Sequence, residues 1–225
     1  MTTHNANIEA LLFDLDGTLV DTAEDFVNVL NKQRRRYKLT PLPATSIRNT
    51  VSDGARALTK LAFGGGEGEA DFESKKQELL DLYLQDVGIH SKMFEGMESV
   101  LALCESLSIP WGIITNKPRI YTDKLLVQLD LFNRSSVTLC PDDVVNAKPD
   151  PESILLAAER LNVDPTKAVY VGDHERDILA GRAANMKTVA VSYGYIKDPL
   201  SIQSWRADHK IDHPSELISL FLSQT

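Results

Sequence analysis

The stretch ALLFDLDGT, residues 10–18, joins a short apolar run to two aspartates and a glycine. The run Ala10–Phe13 predicts a buried strand, and alternate side chains on a strand share a face, so Asp14 and Asp16 leave it on the same side. Gly17 predicts a turn directly after them. Two such carboxylates suit a nucleophile and a neighbouring acid/base group around Mg²⁺. A strand-end turn in which Asp16 caps the next helix is the alternative interpretation, and the rest of the chain decides between them.

The composition argues against several classes of protein. The 225 residues include 24 basic and 32 acidic side chains, giving a net charge of -8, which is unfavourable for a nucleic-acid partner. The one basic cluster, Arg34–Arg36, predicts a solvated helix face. Cys104 and Cys140 form no C-x-x-C pattern, so we expect buried core residues and a reducing compartment.

The start of the chain carries no pattern of a targeting segment. Residues 1–10 are polar and lack the charged and apolar regions of a signal peptide, and no apolar run approaches the length of a membrane span. We therefore expect a soluble cytoplasmic protein without a membrane partner. No feature of the sequence indicates an oligomeric state.

Two different patterns divide the chain. Residues 21–90 contain helical periodicities and no convincing strand, with Phe26, Val29 and Leu30 as one apolar face. From residue 91 onward, helices alternate with short apolar strands. Such alternation predicts an α/β fold with a mostly parallel sheet that is covered on both faces.

The elements of this second part can be placed individually. The strands are predicted over Ile109–Thr115, Val137–Cys140, Ala168–Val171, Thr188–Val191 and Lys210–Ile211. The helices are predicted over about 97–107, 118–129, 151–161 and 176–184, with a last amphipathic helix from Pro214.

Polar side chains follow several of these strands, and one lysine stands in a loop before a helix. In a parallel sheet the carboxyl ends of the strands meet at one edge, where ligands bind. Each residue alone could be a helix cap or a solvated side chain, but their joint occurrence favours chemistry on a phosphate group. The set consists of Asp14, Asp16, Thr115, Asn116, Lys148, Asp173 and Asp177.

At these residues the chain resembles the haloacid dehalogenase superfamily of phosphotransferases. The four ordered motifs of that superfamily match Asp14–Thr18, Thr115, Lys148, and Gly172–Asp173 with Asp177. The resemblance spans nearly the whole chain. It implies a Rossmann-like core made of residues 1–20 and 91–225, and an inserted all-helical cap domain over residues 21–90.

The resemblance also implies roles for the motif residues. Asp14 is expected to form an aspartyl phosphate, and Asp16 to protonate the leaving group and then activate water. Thr115, Asn116 and Lys148 are expected to hold the phosphate. Mg²⁺ is expected to be held by the Asp14 and Asp173 side chains and the Asp16 carbonyl, with Asp177 orienting a water molecule or Lys148.

Within the superfamily the chain is similar to the phosphoglycolate phosphatases. Four further segments resemble the N-acetylmuramic acid 6-phosphate phosphatases of peptidoglycan recycling: Val51–Arg56, His90–Gly96, Trp111–Pro118 and Tyr193–Ile196. This implies a small phosphate ester as the partner, most closely the muramic acid ester, with phosphoglycolate as the alternative. A sugar phosphomutase and a binding module with a dead site are two further alternatives.

A substrate with a carboxylate besides its phosphate needs a cation in the cap. The candidates for this role are Arg48 and Arg56, with Lys92 as a third, and each arginine could equally be a solvated helix residue. Ser52 is expected either to approach the substrate or to cap a helix.

Overall fold

The central strand of the sheet is the apolar run from which the fold was predicted. We describe residues 8–66, 68 and 71–222 of a computed structural model, and in it the first strand covers the predicted residues. The strands are β1 Ala10–Phe13, β2 Val20–Asp21, β3 Lys92–Met93, β4 Trp111–Ile114, β5 Val137–Leu139, β6 Ala168–Gly172, β7 Lys187–Val191 and β8 His209–Ile211.

Six of these strands form one parallel sheet in the order β5-β4-β1-β6-β7-β8. Counted within this sheet alone, the order is 3-2-1-4-5-6, which is that of a Rossmann fold. The strand order reverses between β1 and β6. A ligand is therefore expected beyond the carboxyl ends of these two strands.

The alternation of side chains along β1 explains how the sheet is covered. Leu11 and Phe13 belong to a buried cluster on one face, whereas Ala10 and Leu12 belong to the cluster on the other face. All four residues are fully buried. Because both faces are covered, the strand reads as a continuous apolar run, as is typical of parallel sheets.

The helices confirm the predicted α/β arrangement. They are α1 Ala23–Arg36, α2 Ala44–Arg48, α3 Gly54–Phe63, α4 Phe72–Asp86, α5 Met97–Ser106, α6 Arg119–Gln128, α7 Glu152–Leu161 and α8 Glu175–Ala183. The first four form the helical block that was predicted between the first strand and the rest of the sheet. α3 ends where Gly64 adopts a φ of +73°, a conformation that favours glycine.

A second sheet of two strands lies where the chain enters and leaves the helical block. β2 and β3 pair in antiparallel orientation, with Val20 opposite Met93. Two residues are too few to produce an alternating pattern, so this sheet was not predicted. The helix predicted from Pro214 begins as a turn, becomes helical at Glu216 and ends in a π-helical turn over Ile218–Leu222.

The Arg34–Arg36 cluster is not the uniformly solvated face that we expected. Arg34 is only 9% exposed, and its guanidinium donates to the carbonyls of Thr40 and Ala62. It thereby satisfies backbone groups near the end of α3, whereas Arg35 and Arg36 are exposed. Cys104 and Cys140 are both buried, as predicted. Among the described residues, no helix combines the length and apolar character that crossing a bilayer demands.

Candidate active site

The residues predicted to carry the chemistry meet at the carboxyl edge of the sheet. Asp14 follows β1, Thr115 follows β4 and Asp173 follows β6. The strand pairing continues one residue further, since the Asp14 N–H donates to the Val171 carbonyl at 2.9 Å. Asp14 and Asp173 therefore lie on either side of the point at which the strand order reverses.

Lys148 connects these strand ends through its buried ammonium group. Its Nζ lies 2.8 Å from Oδ1 of Asp14 and 2.7 Å from Oδ1 of Asp177. The Tyr170 hydroxyl and the Ile114 carbonyl are each 2.7 Å away. These acceptors surround the ammonium group, so the lysine is held at a single position next to Asp14.

Burial controls the protonation of this cluster. Desolvation raises the pKa of Asp14 to about 6, although the neighbouring Lys148 acts in the opposite direction. Desolvation, with the negative charges of Asp14 and Asp177, raises the pKa of Asp173 to about 8. Burial alone would lower the pKa of Lys148, but the two carboxylates outweigh this and raise it. The carboxylates of Asp14, Asp173 and Asp177 therefore carry more negative charge than Lys148 balances when they are ionised.

The arrangement of carboxylates fits a divalent cation. Asp14, Asp173 and Asp177 each offer an oxygen, and these three oxygens lie within 4.8 Å of one another. Oδ1 of Asp173 is buried and has no hydrogen-bond partner among the described residues. Its other oxygen accepts hydrogen bonds from the Ser52 hydroxyl at 3.1 Å and the Tyr195 N–H at 2.9 Å. An oriented but unpartnered carboxylate oxygen is a suitable ligand for Mg²⁺.

The side chain of Asp16 lies apart from this group of three carboxylates. Its Oδ1 accepts a hydrogen bond from the Thr22 hydroxyl at 2.5 Å and pairs with the Lys117 ammonium at 2.8 Å. The Lys117 ammonium also lies over the rings of Tyr83 and Phe26, at 4.7 and 5.2 Å from their centroids. Asp16 is thus held by a lysine and a hydroxyl, in a position separate from the candidate metal ligands.

The two predicted phosphate-binding residues of the second motif are fixed by backbone contacts. The Thr115 hydroxyl accepts a hydrogen bond from the Lys117 N–H at 3.0 Å. The Asn116 side-chain amide donates to the Lys148 carbonyl at 2.8 Å. The Asn116 contact joins the loop after β4 to the loop that carries Lys148.

A cavity of about 290 Å³ lies between the sheet edge and the helical block. Its polar side includes Asp14, Asp16 and Thr115. Its opposite side is formed by the helical block and is largely apolar and aromatic. The residues that the block contributes are Phe26, Val51, Ser52, Asp53, Gly54, Ala55, Leu80 and Tyr83.

The structure places one of the residues predicted in the helical block at the site and the two arginines outside the cavity lining. Ser52 lies at the site, where it contacts Asp173. Arg48 pairs with Asp21 at 2.8 Å, and Arg56 pairs with Glu73 at 2.7 Å. Neither arginine belongs to the described residues that line the cavity.

The sequence placed Lys117 at the end of its strand without a role, and it gave Arg176 and Tyr83 no place in the site. Lys117 directly follows the predicted Thr115 and Asn116, and Arg176 directly precedes Asp177, so adjacency to the motifs was an available signal. Tyr83 lies on α4 and is almost completely buried. Its hydroxyl is buried and has no hydrogen-bond partner among the described residues.

Comparisons with known proteins show which family this chain resembles. The sequence profile of the haloacid dehalogenase-like hydrolases matches residues 11–191. The chain is 43% identical to an N-acetylmuramic acid 6-phosphate phosphatase of Pseudomonas putida, covering 93% of this chain and 94% of the relative. It is 41% identical to the protein of the same name in Pseudomonas aeruginosa, with 95% and 94% covered. A phosphoglycolate phosphatase of Xanthomonas campestris is 39% identical, with 92% and 94% covered.

Solved structures share the fold at lower sequence identity. A crystal structure described as a predicted phosphoglycolate phosphatase from Haemophilus somnus has a TM-score of 0.83 at 21% identity, covering 95% of this chain and 98% of that one. A haloacid dehalogenase-like family protein from Streptococcus pneumoniae has a TM-score of 0.80 at 20% identity, with 95% and 98% covered. These similarities concern the fold alone.

Proposed function

This chain belongs to the haloacid dehalogenase-like hydrolases and is a phosphatase, and on that premise we propose that it is a magnesium-dependent phosphomonoesterase that hydrolyses N-acetylmuramic acid 6-phosphate. The observation that carries the proposed chemistry is the meeting of Asp14, Lys148 and Asp173 at the reversal point of the sheet. The reaction proceeds through an aspartyl phosphate on Asp14.

The main obstacle to this reaction is electrostatic. Asp14, Asp173 and a phosphate dianion together carry about four negative charges when ionised. Lys148 offsets one of them and also fixes the position of the attacking carboxylate. Magnesium bound by the Asp14 and Asp173 side chains would bring the sum to about minus one, since this ion carries two positive charges and prefers oxygen ligands. Asp177 orients Lys148, because one of its oxygens accepts a hydrogen bond from that ammonium group.

The two carboxylates of the first motif, Asp14 and Asp16, have different roles in the reaction. The free oxygen of Asp14 attacks phosphorus, the ester bond to phosphorus breaks, and Asp16 gives a proton to the departing alkoxide. Asp16 then takes a proton from a water molecule, which attacks phosphorus and releases inorganic phosphate from Asp14. Lys117 and Thr22 hold Asp16 for both steps. The Thr115 hydroxyl and the Asn116 N–H bind the non-bridging oxygens.

The helical block, residues 21–90, acts as a cap that selects the organic part of the ester. The block lines the cavity with an apolar wall that includes Val51, Ala55 and Leu80, and in which Phe26 and Tyr83 stack on each other. The apolar part of a sugar ester can pack against this wall. Phosphoglycolate has only a two-carbon organic part, so it would leave most of this wall uncovered. The relatives named as muramic acid phosphatases support the same choice of substrate.

Phosphoglycolate hydrolysis is the second candidate function, because several relatives carry that name. A panel assay separates the two. Phosphate release is measured for N-acetylmuramic acid 6-phosphate, phosphoglycolate and simple hexose phosphates, each with magnesium and with a chelator. We expect the muramic acid ester to have the highest kcat/KM and the chelator to abolish turnover. Equal rates on all the sugar phosphates would contradict the proposed substrate.

The Asp14→Asn variant tests the proposed aspartyl-phosphate route separately from the choice of substrate. Asp14→Asn preserves the shape of the side chain but removes the attacking oxygen anion, so we expect turnover to fall at least about 1,000-fold. Beryllium fluoride should bind on Asp14 of the wild type in the presence of magnesium, which fluorine NMR can detect, and should not bind the variant. An Asp14→Asn protein with wild-type turnover would refute the aspartyl-phosphate route. Net release of phosphate also distinguishes a phosphatase from a phosphomutase.

A further inference from the structure

Arg176 lines the catalytic cavity from the sheet side, one position before Asp177 on α8. It is partly buried, and its guanidinium donates a hydrogen bond to the backbone carbonyl of Ser52. Ser52 belongs to the short 3-10 helix Val51–Asp53, directly before α3 in the helical block. Arg176 therefore lies at the boundary between the sheet and the block, where the organic part of a phosphate ester would lie.

The other charged side chains around the cavity have ionic partners. Lys117 pairs with Asp16 at 2.8 Å. Asp53 pairs with the Lys197 ammonium. Within the described part of the chain, Arg176 is the lining cation that has no carboxylate at ion-pairing distance. A guanidinium carries five N–H donors, and one carbonyl does not satisfy them.

The arginines of the helical block are less suited to bind a substrate anion. Arg48 has its guanidinium 2.8 Å from Asp21 and 4.9 Å from the centroid of the Tyr195 ring. Arg56 is paired with Glu73 and lies away from the cavity lining. A substrate anion would have to displace an existing carboxylate from either of them, whereas at Arg176 it would not.

We propose that Arg176 binds a second acidic group of the substrate, a carboxylate on the part of the molecule away from the transferred phosphate, and so makes the enzyme selective for acidic phosphate esters. This inference rests on the proposed function and deepens it by assigning the residue that recognises the acid. A guanidinium and a carboxylate form two parallel hydrogen bonds, which fixes the orientation of the ester as well as its charge.

The test uses pairs of substrates of which one member carries the acid. N-acetylmuramic acid 6-phosphate is paired with N-acetylglucosamine 6-phosphate, which lacks the whole lactyl group. Phosphoglycolate is paired with ethyl phosphate, in which a methyl group replaces the carboxylate. The readout is the acid preference, the ratio of kcat/KM between the two members of a pair. We expect Arg176→Met to lower this ratio about 10- to 100-fold, the loss of one charged hydrogen-bonded contact, and Arg176→Lys to retain part of it.

Arg182→Met is the matched control, because Arg182 lies exposed on the same helix and its guanidinium donates to the Arg206 carbonyl away from the cavity. It should keep the wild-type ratio. A wild type without acid preference in either pair would overturn the inference. So would an Arg176→Met variant that loses rate equally on both members, since that result indicates a structural role. If the acid preference collapses in the phosphoglycolate pair while the muramic acid ester is not hydrolysed, the proposed substrate is wrong and the inference stands.

Discussion

The Lys148 ammonium lies 2.8 Å from Oδ1 of Asp14, although 134 positions separate the two residues in the chain. The same ammonium lies 2.7 Å from Asp177, and both groups of this second pair are almost completely buried. Asp173 adds a third carboxylate within reach. Lys148 therefore pairs with two of three neighbouring carboxylates. Desolvation and this excess of negative charge raise the pKa of Asp14 and of Asp173 and explain the need for further positive charge.

Replacement of Lys148 tests its role in catalysis and its role in the stability of the fold. Lys148→Met keeps the apolar stem but leaves buried carboxylates facing each other. We expect turnover to fall about 100- to 1,000-fold and the free energy of unfolding of the metal-free protein to fall by about 3 kcal/mol. Urea denaturation measures the second effect. Lys167→Met is the control, because Lys167 pairs with Glu9 at the surface and should not shift the unfolding midpoint.

The raised pKa of Asp173 predicts how the stability of the metal-free protein depends on pH. The folded protein keeps a proton on Asp173 up to pH about 8, whereas an ordinary aspartate releases it near 3.8. This contribution to stability is therefore complete below pH about 3.8 and is lost as the pH rises through about 8.

Thermal unfolding with and without magnesium measures this dependence. In the presence of a chelator, we expect Tm to be lower at pH about 8.5 than at pH about 6, and magnesium to raise Tm more at the higher pH because it binds the ionised carboxylates. Asp173→Asn has no proton to lose and should reduce the difference. A metal-free wild type that is more stable at the higher pH would count against the buried cluster as described.

Gly17 forms a close-fitting part of the Asp173 environment. Its φ is +85°, and a Cβ at this position would overlap the Asp173 carboxylate. We expect Gly17→Ala to displace the carboxylate and lower the affinity for magnesium at least about 10-fold, measured by metal titration of activity and by calorimetry. Gly66→Ala is the control, since a Cβ there meets no atom of the described residues within 4 Å. Wild-type metal affinity in Gly17→Ala would contradict this role for the turn.

The sequence was sufficient for the sheet and for the residues at its edge, because both depend on local patterns. The apolar run Ala10–Phe13 forms the strand that was predicted, and the helical block appears where strand patterns are missing. The order of polar residues after successive strands brings Asp14, Thr115 and Asp173 to one edge, since parallel strands end there together.

The partners of the charged side chains were not predictable in the same way. Asp16 and Lys117 are 101 positions apart, and no local periodicity relates them. The carboxylate partners of Arg48 and Arg56 likewise arise from tertiary packing. Arg34 was expected in solvent and is buried, because the loop at Thr40 and the end of α3 supply carbonyl acceptors that only the folded chain assembles.

A buried carboxylate also ties the two ends of the helical block together. Asp25 on α1 is 1% exposed and accepts hydrogen bonds from the Gly88 N–H at 2.8 Å, the His90 N–H at 2.7 Å and the Ser91 hydroxyl. Gly88–Ser91 is the segment through which the chain leaves the block. Because the carboxylate serves three donors at once, it fixes this segment against α1.

Asp25→Asn replaces one acceptor oxygen with an amino group that faces N–H donors, so it removes more than a single hydrogen bond. We expect the free energy of unfolding to fall by about 2 kcal/mol and KM to rise, because the block no longer holds one position over the cavity. Ser91→Ala removes one donor and leaves both backbone contacts intact, and should cost about 1 kcal/mol with little change in KM. Urea denaturation and steady-state kinetics compare the two variants. Equal effects of the two substitutions on KM would show that the backbone contacts of Asp25 do not position the block.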